Sequence, residues 1–278
     1  MTPEQVLAII NVVMAGMFGA VIGSFTNVCI YRIPEHRTIV KGHSMCMTCG
    51  HELGALDLVP IFSWLFLKGK CRYCGTSVSS RYIKIESLTA LMYILMAIAH
   101  LDMFLDPTNP AKNILPFIVL CALFIMINIV IVEMMIMKDT GSSMFRLSTA
   151  LFIDLAVQIG VRMFYEVGRA SIILGVLLGG VIGFVAVLLA VLFTNRPKDL
   201  GKYFSSEKGR PFRTSDLFAI VLCAAIGIWP AVVCAAVYLI ARIAIGNGKN
   251  VKYLGNILAA GAAVGYFGYA FLRMFLAR

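Results

Sequence analysis

Cys46-Met47-Thr48-Cys49, then twenty-one residues, then Cys71-Arg72-Tyr73-Cys74 is the stretch around which this 278-residue chain is organised. Two C-x-x-C hooks at that separation offer four thiolates to one tetrahedral ion, the chain between them folding back to close the site. Gly50 and Gly75 each follow a hook directly, where the turn around a metal favours a residue without a Cβ. Zn2+ in a structural role is the expectation for Cys46, Cys49, Cys71 and Cys74, because four thiolates leave no open position for water. Two disulfides or four unrelated thiols are the alternatives, and disulfides need an oxidising compartment.

Working outward, apolar runs flank the hooks on both sides. The chain is 60% hydrophobic and 14% charged, with a mean hydropathy of +0.89, far from the composition of a soluble domain. Runs at 5–28, 85–104, 113–137, 144–164, 171–194 and 253–276 are each long enough to span a bilayer. The run 217–245 reads as two short spans joined at Trp229-Pro230. The fold class is therefore an all-α integral membrane protein of about eight transmembrane helices, with the cysteine loop between the first two. The expected organisation is a first helix over 1–31, a zinc loop over 32–84 and a helical core over 85–278.

Charge sets the orientation. The loop 32–84 carries eight Lys/Arg against three acids, and 195–215 carries six against two. The positive-inside rule puts both in the cytoplasm and the N-terminus outside. The net charge of +10 sits in such loops, which speaks for topology and anionic lipid rather than nucleic acid. The stretch 58–67, Leu-Val-Pro-Ile-Phe-Ser-Trp-Leu-Phe-Leu, is too short to span and is expected at the membrane interface or as a cap on the zinc module. Small residues in the first run (Gly16, Gly19, Gly23) suit close helix packing, and Ser24 and Asn27 read as interhelical hydrogen bonders, with lining of a site as the alternative.

Carboxylates within or beside a span are costly and are site candidates for that reason. Glu133, Asp139 and Asp216 can meet at one depth on the cytoplasmic side, whereas Asp154 lies too far along its span. Each has a plainer use: Asp216 as a helix N-cap, Glu133 as a polar residue satisfied by another helix, Asp139 as a loop acid.

Beyond these patterns, Gly23-Ser24-Phe25-Thr26-Asn27-Val28-Cys29-Ile30-Tyr31-Arg32-Ile33-Pro34 resembles the opening motif of the bacterial type IV prepilin peptidases. The two hooks with Pro60-Ile61-Phe62-Ser63-Trp64 between them, and Ser80-Arg81-Tyr82-Ile83-Lys84-Ile85-Glu86 after them, are similar to that family's cytoplasmic loop. The resemblance implies an inner-membrane enzyme that cleaves the basic leader of a prepilin or pseudopilin and methylates the new N-terminus with S-adenosylmethionine. It also implies a membrane aspartyl protease of the GxGD type, serving type IV pilus or type II secretion assembly.

Asp216 falls where the family places its second aspartate, but Arg213-Thr214-Ser215 stands for the Gly-x-Gly and Phe218 for the following lysine. In the window for the first aspartate only Glu133 is acidic, with Asp139 nearby. The pairing of Asp216 with Glu133 or with Asp139 stays open. So do a cleavage-impaired relative, a chain altered around 131–133, and a non-catalytic membrane scaffold of the assembly. The zinc loop is the module implied in methylation, with Gly69 as the residue offered to S-adenosylmethionine. Glu35, Glu52 and Asp57 are the acids offered to the basic leader.

Overall fold

The computed structural model describes residues 2–101, 110–141, 143–165, 169–194, 212–245 and 252–276. The chain forms two compact units, Met1–Pro107 and Thr108–Arg278, and among the described residues there is no strand, only two isolated bridges. Among the described residues seven helices are long and apolar enough to cross a membrane, and a further apolar helix is shorter, so the chain is a multi-pass membrane protein.

The first unit is a helical hairpin with a loop module at one end. Helix α1 spans Pro3–Arg32 and opens on a capping box, in which Thr2 Oγ1 accepts from the Gln5 amide and Gln5 Oε1 accepts from the Thr2 amide. At its far end the Arg32 guanidinium donates to the carbonyls of Thr38 and Lys41 and starts the loop. A 3-10 turn at Ala55–Asp57 and the five-residue helix α2, Phe62–Phe66, precede α3 over Arg81–Ala99. The glycines of α1 let the two long backbones touch. A Cβ on Gly19 would stand 2.8 Å from Ala90 Cα, and one on Gly23 2.8 Å from Glu86 Cα. Asn27 Nδ2 donates to Gly23 O within α1 and across to Tyr82 O, both at 3.3 Å. The interhelical use read for Asn27 is thus the one the fold makes of it.

The second unit is a bundle of α4 (Pro110–Thr140), α5 (Phe145–Tyr165), α6 (Arg169–Thr194), α7 (Phe212–Ile226), α8 (Ile228–Ile245) and α9 (Leu254–Leu276). Helix α6 packs on both α7 and α8, α9 on α8 and α4, and α5 on α4 and α7. Leu123, Leu151, Ala190, Ala231 and Cys234 are fully enclosed in its core. The α7–α8 break falls at Gly227, not at Trp229-Pro230. Gly227 takes φ +87°, a conformation a side chain resists, while Pro230 lies in the first turn of α8, where its missing N–H costs nothing. The basic stretch 195–211 and Lys249 lie outside the described residues.

Gly19→Leu should separate α1 from α3, because its new side chain meets backbone rather than a flexible tip. A loss on the order of 1–3 kcal/mol is expected, read as lower thermal stability of the detergent-solubilised protein. Unchanged melting would refute the close approach.

Candidate metal centre and candidate active site

The two hooks fold into near-identical knuckles. In the first, the Cys46 amide donates to His51 O (2.9 Å) and the Gly50 amide to Cys46 O (2.8 Å). In the second, the Cys71 amide donates to Thr76 O (2.8 Å) and the Gly75 amide to Cys71 O (3.0 Å). Gly50 and Gly75 both take φ +70°, with nothing near the space a Cβ would fill, so conformation rather than crowding selects glycine there. Each knuckle closes on a single antiparallel bridge, Met45 with Glu52 and Lys70 with Ser77.

The four Sγ atoms lie within 4.8 Å of one another, and Cys46 Sγ is 3.8 Å from Cys74 Sγ. Bonds of about 2.3 Å to a tetrahedral zinc put sulfurs about 3.8 Å apart, so the donor set fits that ion. The thiols differ in acidity. The amides of Cys49 and then Thr48 lower Cys46 to about 6. At Cys74 the Thr76 amide pulls down, but desolvation and the three neighbouring sulfurs outweigh it and hold the group up at about 11. Four sulfurs this close resist sharing negative charge, and a divalent cation removes that conflict.

The acids of the loop are engaged with its own side chains. Asp57 Oδ1 accepts from Arg72 Nε at 2.5 Å, and Oδ2 accepts from Tyr73 Oη (3.0 Å) and the Gly54 amide (3.1 Å). Glu52 pairs with His43 at 2.6 Å, and Glu35 with Arg37 at 3.2 Å. Gly69, at φ +67°, lies beneath the Trp64 ring, where a Cβ would come within 2.8 Å of Cζ2. The Trp64 indole N–H donates to Val78 O at 3.2 Å. Gly69 therefore has a packing use in seating Trp64.

In the second unit, Glu133 is 1% exposed and Asp216 5%. Gly141, at φ +71°, ends α4, its amide donating to Met137 O at 2.8 Å. The chain then turns back along the helix. Ser143 Oγ reaches Glu133 Oε1, and the Met144 amide lies 3.4 Å from Oε2. Asp216 sits inside α7 rather than ahead of it, which removes the N-cap use, and Tyr238 of α8 donates its hydroxyl to Asp216 Oδ1. Helices α5 and α9 each pack against both α4 and α7, the helices that carry the two acids. Asp139 is exposed near the end of α4, and Asp154 accepts from Gln158 Nε2 at 2.8 Å, one turn along its own helix.

Neither Tyr238 nor Ser143 stood out in the sequence. A signal existed for Tyr238, since a tyrosine within an apolar run needs a partner for its hydroxyl. Glu86 is 7% exposed and accepts from the Ile61 amide at 2.7 Å and from Ser24.

Residues 17–100 match the model of the bacterial peptidase A24 N-terminal domain. The prepilin leader peptidase/N-methyltransferase of Dichelobacter nodosus is 32% identical over 120 residues, covering 34% of this chain and 42% of that protein. The protein of the same name from Myxococcus xanthus is 43% identical over 77 residues, 28% of this chain and 23% of that one. The one from Bacillus subtilis is 40% identical over 77 residues, 28% and 31%. The matches thus span less than half the length of each of these relatives. No solved structure matches the chain. The family model ends before Glu133, Asp154 and Asp216, the buried carboxylates described in the second unit.

Two outcomes follow for the loop. The purified protein should carry one zinc per chain with sulfur-only ligation near 2.3 Å by X-ray absorption, lost when the four cysteines are changed to serine; nitrogen or oxygen in the first coordination shell would contradict it. Arg72, then desolvation opposed by Tyr73 and Gly54, leaves Asp57 below the ordinary aspartate value of 3.8. A group so lowered adds stability above the unfolded value and loses it as pH falls through the folded one. Asp57→Asn should therefore destabilise the loop at pH 7 and progressively less as pH falls below the ordinary aspartate value, read by protease susceptibility across pH. An equal effect across that range would rule out the ionic contribution.

Proposed function

We propose that this chain, a member of the type IV prepilin peptidase family through residues 17–100, cleaves the leader of prepilins or pseudopilins at the cytoplasmic face of the inner membrane and methylates the new N-terminus. The observation that carries the peptidase reading is a pair of carboxylates, Glu133 and Asp216, enclosed in one helical unit whose α5 and α9 pack against both parent helices. A charge in such a place costs roughly 2.5–3.5 kcal/mol or more at the centre of a span, and chemistry is the ordinary reason to retain it.

The reaction proposed is hydrolysis by a carboxylate pair. One ionised acid takes a proton from water as its oxygen attacks the scissile carbonyl, and the other, protonated, donates to the carbonyl oxygen. Two such acids close together share a single proton because like charges resist joint ionisation. Tyr238 and Ser143 fix the carboxylates they touch, so neither acid need reorient during the step. The substrate's apolar segment would lie among the spans, with its basic leader in the aqueous phase.

Zinc held by Cys46, Cys49, Cys71 and Cys74 would clamp the ends of the loop and supply no catalytic water. The organisation proposed keeps 1–31 as the first helix, 32–84 as the methylation-linked loop and 85–278 as the protease-like core. S-adenosylmethionine is the proposed methyl donor, with no residue here assigned to it.

Asp216→Asn should lower cleavage of a leader peptide by about 10²–10⁴-fold while methylation of a pre-cleaved peptide continues. Retained cleavage would make Asp216 structural. Glu133→Asp tests its partner: a gain in cleavage marks Glu133 as the first acid, whereas loss on Asp139→Asn alone moves that role to Asp139. A second reading, a scaffold without protease activity, is favoured by the replacement of Gly-x-Gly with Arg213-Thr214-Ser215. It predicts no cleavage by the unaltered chain under conditions where the zinc loop is intact.

A further inference from the structure

The stretch 58–67 holds an asymmetry that the zinc site and the hairpin do not use. Trp64 faces inward, its ring over Gly69 and its N–H on Val78 O. Phe62 and Phe66, stacked with centroids 6.4 Å apart, are 57% and 81% exposed, and Leu65, Leu58 and Val59 are exposed around them. Lys68 and Lys70 are exposed at the end of the same segment.

Two contacts fix the depth of this surface. The Ile61 amide, at the start of α2, donates to Glu86 Oε2 in α3 at 2.7 Å. Ile61 holds φ +66° there, a conformation costly for a β-branched residue, so the backbone is fixed against its preference. Glu86 is in turn level with Gly23 of α1, where the backbones touch, and with Ser24, which hydrogen-bonds it. From Val6 to Gly23 the helix rises roughly 26 Å at 1.5 Å per residue, against the ~30 Å of a bilayer's hydrocarbon core. Measured from that end of the helix, Glu86 and Ile61 therefore stand within about one helical turn of the hydrocarbon boundary, and the aromatic face begins at the next residue.

We propose that Phe62, Leu65 and Phe66, with Leu58 and Val59, form a wedge that inserts into the acyl–headgroup boundary of the bilayer, with Lys68 and Lys70 on lipid phosphates. The occupant is lipid, because the face is tethered to two spans at interfacial depth. Apolar side chains beside cations are also the composition that boundary selects. The inference is independent of any catalytic role.

The test places the photoreactive residue benzoylphenylalanine at Phe62, at Phe66 and, for comparison, at Met47, which is 75% exposed on the first knuckle. The full chain is irradiated in phosphatidylglycerol-containing nanodiscs, and adducts are read by mass spectrometry alongside zinc content. A mass increase of one phospholipid at positions 62 and 66, several-fold above position 47, is expected. Absence of lipid adducts at both positions with zinc retained, adducts to a second protein only, or equal labelling at position 47 would each overturn the wedge. As a check that needs no unnatural residue, Phe62→Asp/Phe66→Asp should raise amide exchange across 58–67 in nanodiscs but leave it unchanged in detergent-free loop regions around Cys46. Unchanged exchange at 58–67 would also overturn it.

Discussion

Inside a bilayer a polar group can bond only to the chain itself or to its few trapped neighbours, and this constraint accounts for much of the molecule. Each buried acid described here is met by a donor from a different segment or turn. Glu86 takes the Ile61 amide, Glu133 takes Ser143, Asp216 takes Tyr238 and Asp154 takes Gln158. These bonds decide local architecture as well as polarity. The Ile61 bond docks the loop module on its hairpin, and the Ser143 bond folds the α4–α5 turn back along α4. Remove an acid and an orphaned donor is left where water is scarce, at a cost of about 1–3 kcal/mol.

The first unit answers a different difficulty, which is how a loop with few buried apolar residues holds a shape. Its two knuckles repeat one backbone pattern, so the same amide-to-carbonyl bonds and the same left-handed glycine occur twice. Between them Asp57 gathers Arg72, Tyr73 and Gly54, joining the 3-10 turn to the second hook. The metal would lock what these bonds already arrange, and the lowered pKa of Cys46 leaves at least one thiolate ready for it.

Much of this was legible in the sequence, for reasons that differ by feature. Hook spacing carries its own chemistry, so Cys46, Cys49, Cys71 and Cys74 could be grouped without any fold. Hydropathy carries span positions, because length and apolar content are what a bilayer selects. The close approach of Gly19 and Gly23 to α3 follows from the same logic. The break between α7 and α8 was placed two residues late because proline is the louder breaker in a string of letters. In a helix's first turn it is harmless, and Gly227 does the turning. The pairs Glu133–Ser143 and Asp216–Tyr238 were not legible, since they depend on which helical faces meet and on the tightness of each turn. Glu35, Glu52 and Asp57 are visible in the sequence only as charges, and their partners within the loop come from geometry that no spacing rule encodes.

The single-residue turn at Gly227 makes the α7–α8 hairpin a ruler. Asp216 stands eleven residues before it and Tyr238 eleven after, so the hydroxyl meets the carboxylate because the two arms are equal in length. One residue added to either arm would shift its side chain by about 1.5 Å along the axis and about 100° around it. Tyr238 would then face away from α7. Length between these two positions is therefore constrained as tightly as residue identity. Single-residue insertions and deletions can therefore survive only outside the interval from 216 to 238.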